Sequence, residues 1–514
     1  MSRVMVLALS EASPELVQQF CDAGVMPNLS RLMKQGLSGH TRYSIPYLLT
    51  PQMWATILTG RRAGSHGVFD YWQRQDGGKF LEVHGSDVKG PKLWDVLASN
   101  DLPSGWVNVP MTYPPPMIPG FALSGQDAPG AHPSISHPRE LFQELTSSLG
   151  RYHHKDIFPG GQDKATYGEL LPHETVWQKS LLEKLVHRDD WRFLFAYNSG
   201  SAFAQHYFWK DMEEKGSVTE KVAEKTFAAA DVLIGSLMNA LEPTDTLFVI
   251  SECGAGPIKA GVRLQNWLEQ NGFLARTEGC KGPSATARLL TSIRTNAQRY
   301  LPRSLFYYAN AMPFKQWVLR RIAHDHIDWS RTRAYHRGKG EGNIYINLAG
   351  REQHGIVRPE EYEPLRDELI TALRKLTDPE TGESAVIDVH RREALFGDQG
   401  VEMAPDLVIE WRDARYMPAE TLSADQEIFS ERVREFMTWP TSGSHRPEGL
   451  FVAAGPNIRP GKLEKPVELV DLAPTWLHAL GCPVPASMNG SPRVDLFQQV
   501  QSPAADPAEL IAQT

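Results

Sequence analysis

Thr246-Leu247-Phe248-Val249-Ile250-Ser251-Glu252-Cys253-Gly254 is the stretch that decides the fold. Five largely apolar or β-branched residues in unbroken succession describe a strand covered on both faces, because a strand with one wet face alternates. Polar side chains follow at once. In an open parallel sheet, ligands gather outside such carboxyl ends, so position alone makes Glu252 and Cys253 candidates for chemistry. The same arrangement recurs in Val4–Leu9, which runs into Ser10, and in 193–197, which leads towards His206. Further continuous apolar runs stand at 106–109, 343–348, 406–409 and 450–453. Helical signals lie between them: Ser13-Pro14-Glu15 reads as cap, first-turn proline and first-turn acid, and 29–34 stops at Gly36. Strand and helix in alternation predict an α/β fold of doubly wound type, a mostly parallel central sheet flanked by helices.

Composition narrows the function. The 514 residues carry 61 acidic against 53 Lys and Arg side chains, a formal charge of −8, with 41% hydrophobic and 22% charged residues. That is ordinary globular composition, not that of a disordered, coiled-coil or collagen-like chain. The acidic surplus gives no footing for nucleic acid, whose binders carry a basic field. Cys21, Cys253, Cys280 and Cys482 stand far apart, which argues against a disulfide scaffold or an all-cysteine zinc site. No run approaches the roughly 20 apolar residues of a membrane span, and the start is too short for a secretory signal. A cytoplasmic protein without a membrane partner is expected. Residues 278–328, rich in Arg, aromatics and Pro, break the strand rhythm and are expected to form a helical cap insertion. They separate a first part of the core, 1–277, from a second, 329–497, and 498–514 form a tail.

Thr50-Pro51 opens a helix that Gly60 ends. As N-cap and first-turn proline they leave free N–H groups and positive partial charge beside the Thr50 hydroxyl, a place for a phosphate or sulfate. A Gly-rich loop, 441–449, presents His445 and Arg446 just before the apolar run at 450. His206, His445, Glu252 and Cys253 are then metal-capable side chains that one topology could gather. Taken singly, each has an ordinary structural explanation: a capping Thr, a packed His, a buried thiol. Glu252 at a buried strand end needs a cation or a donor, which Arg446 could supply without metal. Glu11 could swing to the side of its neighbour Ser10, but is expected to point away, as adjacent residues of an extended strand do.

The segments LSEASP (9–14), Thr50–Thr59 with Gly60, GSHGVFD (64–70), Gln205-His206, 251–254, the loop 443–449 and DLAPTWLHALG (471–481) together resemble the type I phosphodiesterase and nucleotide pyrophosphatase branch of the alkaline phosphatase superfamily. The resemblance runs over nearly the whole chain. It implies a two-metal centre, usually zinc, with Thr50 as the nucleophile on phosphorus. It also puts Asn108 on the substrate side and His66 in the packing behind the site. At the first metal it implies His206, His445 and an Asp where this chain has Ala202. At the second it implies an Asp where Ser10 stands and an Asp-His pair where Glu252-Cys253 stand.

Two zinc ions about 4 Å apart need several carboxylates, and Ser10 and Ala202 provide none. A standard two-zinc centre is therefore not expected; a single zinc or iron ion, and no organic cofactor, is. Three readings follow. One is phosphoester hydrolysis or transfer on an anionic small molecule, with at most one metal among His206, His445, Glu252 and Cys253, and Thr50 as nucleophile or anion anchor. The second is a metal-free enzyme of a specialised pathway, catalysing transfer, elimination or rearrangement with His206, His445 or Cys253 as acid, base or nucleophile; in either enzymatic reading Thr50, Asn108 and Arg446 are the candidates for contact with the substrate. The third is a non-catalytic protein binding an anion or a protein partner. Substrate and oligomeric state are left open.

Overall fold

The computed structural model describes residues 2–498 apart from 47, 76–77, 129, 154–162, 278–325, 339–341, 420–421, 424–425 and 431–440. The expected cap therefore lies almost wholly outside the described residues, as does nearly all of the tail. The main sheet is built from β1 (Val4–Leu9), β2 (Leu37–Arg42), β3 (Ser104–Val107), β4 (Gly120–Leu123), β5 (Ser136–His137), β6 (Phe193–Asn198) and β7 (Thr246–Ile250). Two later strands, β8 (Gly254–Pro257) and β9 (Gly443–Arg446), form a separate ladder, and β10 (Glu448–Ala454) returns to the main sheet. Across that sheet the order is β2-β10-β7-β1-β6-β3-β4-β5, with short strands at Gly461–Lys462 and Val467–Glu468 beside β2. β7, β1, β6, β3 and β4 run parallel, whereas β10 and β5 pair antiparallel.

The unbroken apolar runs have the predicted cause. Val4, Val6 and Ala8 enter the core on one face of the sheet, Met5, Leu7 and Leu9 the core on the other. β6 divides likewise, with Phe193, Phe195 and Tyr197 on one side and Leu194 and Ala196 on the other. Two runs expected in this sheet lie elsewhere. Asn343–Ile346 and Leu407–Trp411 belong to a four-stranded antiparallel sheet over its own core, which includes Ile344, Tyr345, Leu407 and Ile409. A buried strand reads the same whichever sheet covers it. Among the described residues no helix is long and apolar enough to cross a membrane.

Three helices bear on the site: α1 (Pro14–Asp22), α2 (Thr50–Thr59) and α3 (Gly200–Glu213). Ser13 caps α1, its hydroxyl accepting from the Leu16 N–H. α2 is buried from Pro51 to Thr59 and ends on Gly60 in the left-handed conformation. Its cap departs from expectation. Leu49 is the N-cap, with no side-chain capping bond, and Thr50 is already the first helical residue. The proline still falls in the first turn, where its missing N–H costs nothing.

His66 holds the far end of α2 in place, as the sequence suggested. Its Nδ1 accepts from the Val68 N–H (3.2 Å), and its Nε2 lies 3.0 Å from the Thr56 hydroxyl, which donates to the Gln52 carbonyl. Nε2 must therefore carry the proton. Burial, reinforced by Arg61, lowers this imidazole from its ordinary 6.5 to about 3. Below about 6.5 the unfolded chain takes a proton that the folded chain refuses, so stability present at neutral pH drains as pH falls towards 3. Thermal melts between pH 7.5 and 5 should show a falling midpoint for the wild type and a flatter profile for His66→Gln. Equal slopes would clear His66 of the acid sensitivity.

Candidate active site

The carboxyl ends of β1, β6 and β7 lie side by side, with Leu9 opposite Asn198 and Ala8 opposite Ile250. The chain leaves β1 through Ser10 and Glu11, β6 into α3, and β7 through Ser251 and Glu252. β8 then pairs with β9, setting His445 opposite Ala255. Loop 441–443 lies against α3: the Ser442 N–H donates to the His206 carbonyl at 2.7 Å, and a Cβ on Gly443 would stand 2.4 Å from the Gln205 carbonyl. Glycine at 443 is thus a requirement of close approach.

Glu11, His206 and His445 converge here. The Glu11 Oε2 lies 2.7 Å from His206 Nε2, and its Oε1 3.2 Å from His445 Nε2. Among the described residues this is the one group of three His, Cys, Asp or Glu side chains whose ligand atoms all lie within 4.8 Å of one another. The rings of His206 and His445 meet edge to face at 5.3 Å. His206 Nδ1 lies 2.7 Å from the Gly443 carbonyl, which fixes the ring and aims Nε2 at the group. Burial alone would raise the Glu11 carboxyl, but the two imidazoles hold it well below the usual carboxylate range.

Glu11 was expected to face away. The alternation rule presumes extended backbone, and Glu11 lies in a turn two residues past the end of β1, with φ at 54°. A left-handed residue turns its side chain to the side that extended chain would forbid. No sequence rule for strands exposes this. The signal that could have done so is the carboxylate itself, next to Ser10 at the strand end where ligands gather.

Glu252 and Cys253 do not join the group. The Glu252 Oε1 accepts from the Ser10 hydroxyl at 2.9 Å and the Trp54 indole at 3.4 Å, while its Oε2 faces the Glu11 N–H at 3.4 Å. Tyr197 donates to Ser10 in turn, at 2.8 Å. Burial, then the charge of Glu11, pushes the Glu252 carboxyl up to about 7. Cys253 is wholly buried in the apolar cluster that contains Ala8, Trp54 and Ile250. Arg446, offered as a partner for Glu252 or substrate, instead donates to the carbonyls of Ala414, His445 and Pro257. Burial, then Arg415, lowers it to about 10. It braces the loop carrying His445.

Thr50 stands one turn before Trp54 on α2, so both project from one face of the helix, and the Trp54 indole reaches Glu252. Thr50 is thus one helical turn from the residue that touches Glu252. Among the described residues the Thr50 hydroxyl makes no hydrogen bond, and it is half-buried. Asn108 also adopts left-handed φ (59°); its Oδ1 accepts from the Tyr152 hydroxyl, and it lines a cavity with Gln178, Tyr197, Asn198 and Ser199. Ala202, one turn before His206, is buried and adds no donor.

The sequence model of the family described as type I phosphodiesterase / nucleotide pyrophosphatase matches residues 4–437. The chain belongs to that family. Among solved structures it is similar to murine ectonucleotide pyrophosphatase / phosphodiesterase 5, an inactive variant in complex with AMP. That match has 13% identity and a TM-score of 0.52, covering 97% of this chain and 100% of that one. Phosphonoacetate hydrolase from Sinorhizobium meliloti, in complex with phosphonoacetate, matches with 13% identity and a TM-score of 0.55, covering 94% of this chain and 95% of that one. At such identities the likeness concerns the fold, here the alkaline phosphatase type. No match is found among curated proteins.

Proposed function

We propose that this member of the family acts on a phosphorylated, anionic small molecule, with Thr50 as nucleophile and a single metal ion held by Glu11, His206 and His445. The observation that carries the reading is the convergence of one carboxylate and two imidazoles by the strand ends of the main sheet. Two His and one Glu suit zinc with a position left open, and equally a non-haem iron. The second family metal is not supported. Ser10 is engaged between Tyr197 and Glu252, and the Glu252 carboxyl is occupied by Ser10 and Trp54.

When bound, a divalent ion at this group supplies Lewis-acid polarisation of a phosphoryl oxygen. The protein's own part begins with the first turn of α2. The N–H groups of Thr50 and Gln52 have no carbonyl four residues back within the helix, and they present positive partial charge to phosphoryl oxygens. The Thr50 oxygen then bonds to phosphorus as the ester P–O bond breaks, and the leaving alcohol carries off the proton that Thr50 gives up. Water reverses this, restoring the Thr50 hydroxyl and releasing the phosphate product.

A second reading rests on the contacts of His206. Its two ring nitrogens face oxygen acceptors, Glu11 and the Gly443 carbonyl, an arrangement an imidazolium also satisfies. That favours metal-free acid–base chemistry by His206 and His445. Turnover of a chromogenic phosphate diester and monoester, before and after exhaustive chelation, separates the two. We expect diester turnover to be lost on chelation and restored by zinc or iron. Chelator-insensitive turnover selects the metal-free reading, and no turnover of either ester at any loading contradicts phosphoester chemistry.

A further inference from the structure

Besides backbone bonds from the Ser10 N–H to the Asn198 carbonyl and from the Ala12 N–H to the Leu9 carbonyl, the Ser10–Ser13 turn is held by side chains. Gln205, wholly buried on α3, donates from Nε2 to the Glu11 carbonyl at 2.8 Å and the Ser201 carbonyl at 3.0 Å, and its Oε1 accepts from the Ser13 N–H at 3.2 Å. Ser201, one turn earlier, donates its hydroxyl to the Ser10 carbonyl at 2.7 Å. From the other side, Ser251 accepts from the Ala12 N–H at 2.9 Å, and Glu252 faces the Glu11 N–H. Left-handed backbone on a non-glycine residue carries a steric penalty and persists only where its surroundings over-determine it. Here the hydrogen bonds to residues 10–13 do so. Gln205 spans the turn, gripping Glu11 and Ser13 together, and it adjoins His206 on the same helix.

We propose that Gln205 is a positioning residue that supplies the site with its carboxylate: it locks the turn so that Glu11 reaches the ligand place where Ala202, on the same helix face, offers nothing. This rests on the single-metal reading above. The carboxylate of the site is thereby delivered by the β1 turn instead of by the helix that carries His206, and one glutamine couples the two. An apolar side chain at 205 would leave the Glu11 carbonyl and the Ser13 N–H without these partners and free the turn to relax from left-handed geometry.

The test is cobalt(II) binding, read by competition with a chromophoric chelator and by the visible absorption of the bound ion. Gln205→Leu should weaken cobalt binding by about 10–100-fold, the range for residues that orient ligands. Its band should also lose intensity as water replaces the carboxylate. Unchanged affinity and spectrum in a folded Gln205→Leu protein would overturn the positioning role. Should that variant not fold, Ala202→Asp placed in a Glu11→Ala background decides. A carboxylate restored one turn before His206 should recover cobalt binding and band intensity lost in Glu11→Ala, and no recovery would contradict the relocation. A wild type that takes up no cobalt at all would instead remove the single-metal reading, an outcome distinct from equal binding by wild type and Gln205→Leu.

Discussion

Thr50→Ala is expected to lower phosphodiester turnover by at least about 10³-fold, as removal of an enzyme's covalent nucleophile does. Two features make this change informative. Thr50 is the first helical residue of α2 and makes no capping bond, so its loss should move stability by no more than about 0.5 kcal/mol, as for a surface substitution away from special features. It is not one of the three converging ligands, so metal affinity should hold. A loss of kcat with melting temperature and metal content unchanged would thus isolate the hydroxyl's part in the chemical step. Thr50→Ser, which keeps a hydroxyl at the same position, should retain far more turnover than Thr50→Ala. Activity indifferent to Thr50→Ala would take Thr50 out of the nucleophile role and leave it at most an anion anchor.

Glu11→Gly should produce the largest effect on metal affinity, a loss beyond the roughly 10–100-fold that outer partners of ligands are worth. Glycine is chosen because Glu11 sits at φ 54°, where a Cβ is a burden and glycine is not. The metal-free protein should keep its fold and its thermal midpoint, or gain slightly, while losing the ion. Binding that survives Glu11→Gly would show that His206 and His445 draw their third ligand from elsewhere. A collapse of the fold would recast the Glu11 contacts with the two imidazoles as a structural ion cluster.

Much of this was legible in the sequence for a physical reason. Strands buried on both faces cannot alternate, so Val4–Leu9, Phe193–Asn198 and Thr246–Ile250 announce both the sheet and the edge where ligands gather. His206 and His445 follow from that edge. What sequence could not give depends on local backbone angles and on choice of partner. Glu11 enters the site only because one residue turns left-handed. Asn343–Ile346 and Leu407–Trp411 read as central strands, yet pair in another sheet. β8 and β9 are rich in Gly and polar residues, so the ladder that sets His445 in place has no apolar signature. Arg446, beside His445 in sequence, spends its guanidinium on loop carbonyls, and Cys253, beside Glu252, turns into the core.

The proposed function places one metal on Glu11, His206 and His445, while Ser10 and Glu252 are engaged with each other, Tyr197 and Trp54. Anomalous diffraction from crystals of protein loaded with zinc, together with elemental analysis of the same sample, tests it most directly. One equivalent and a single anomalous peak between the Glu11 carboxylate and the Nε2 atoms of His206 and His445 are expected. Two equivalents, with a second peak against Ser10 and Glu252, or a single peak there and none on Glu11, would contradict it.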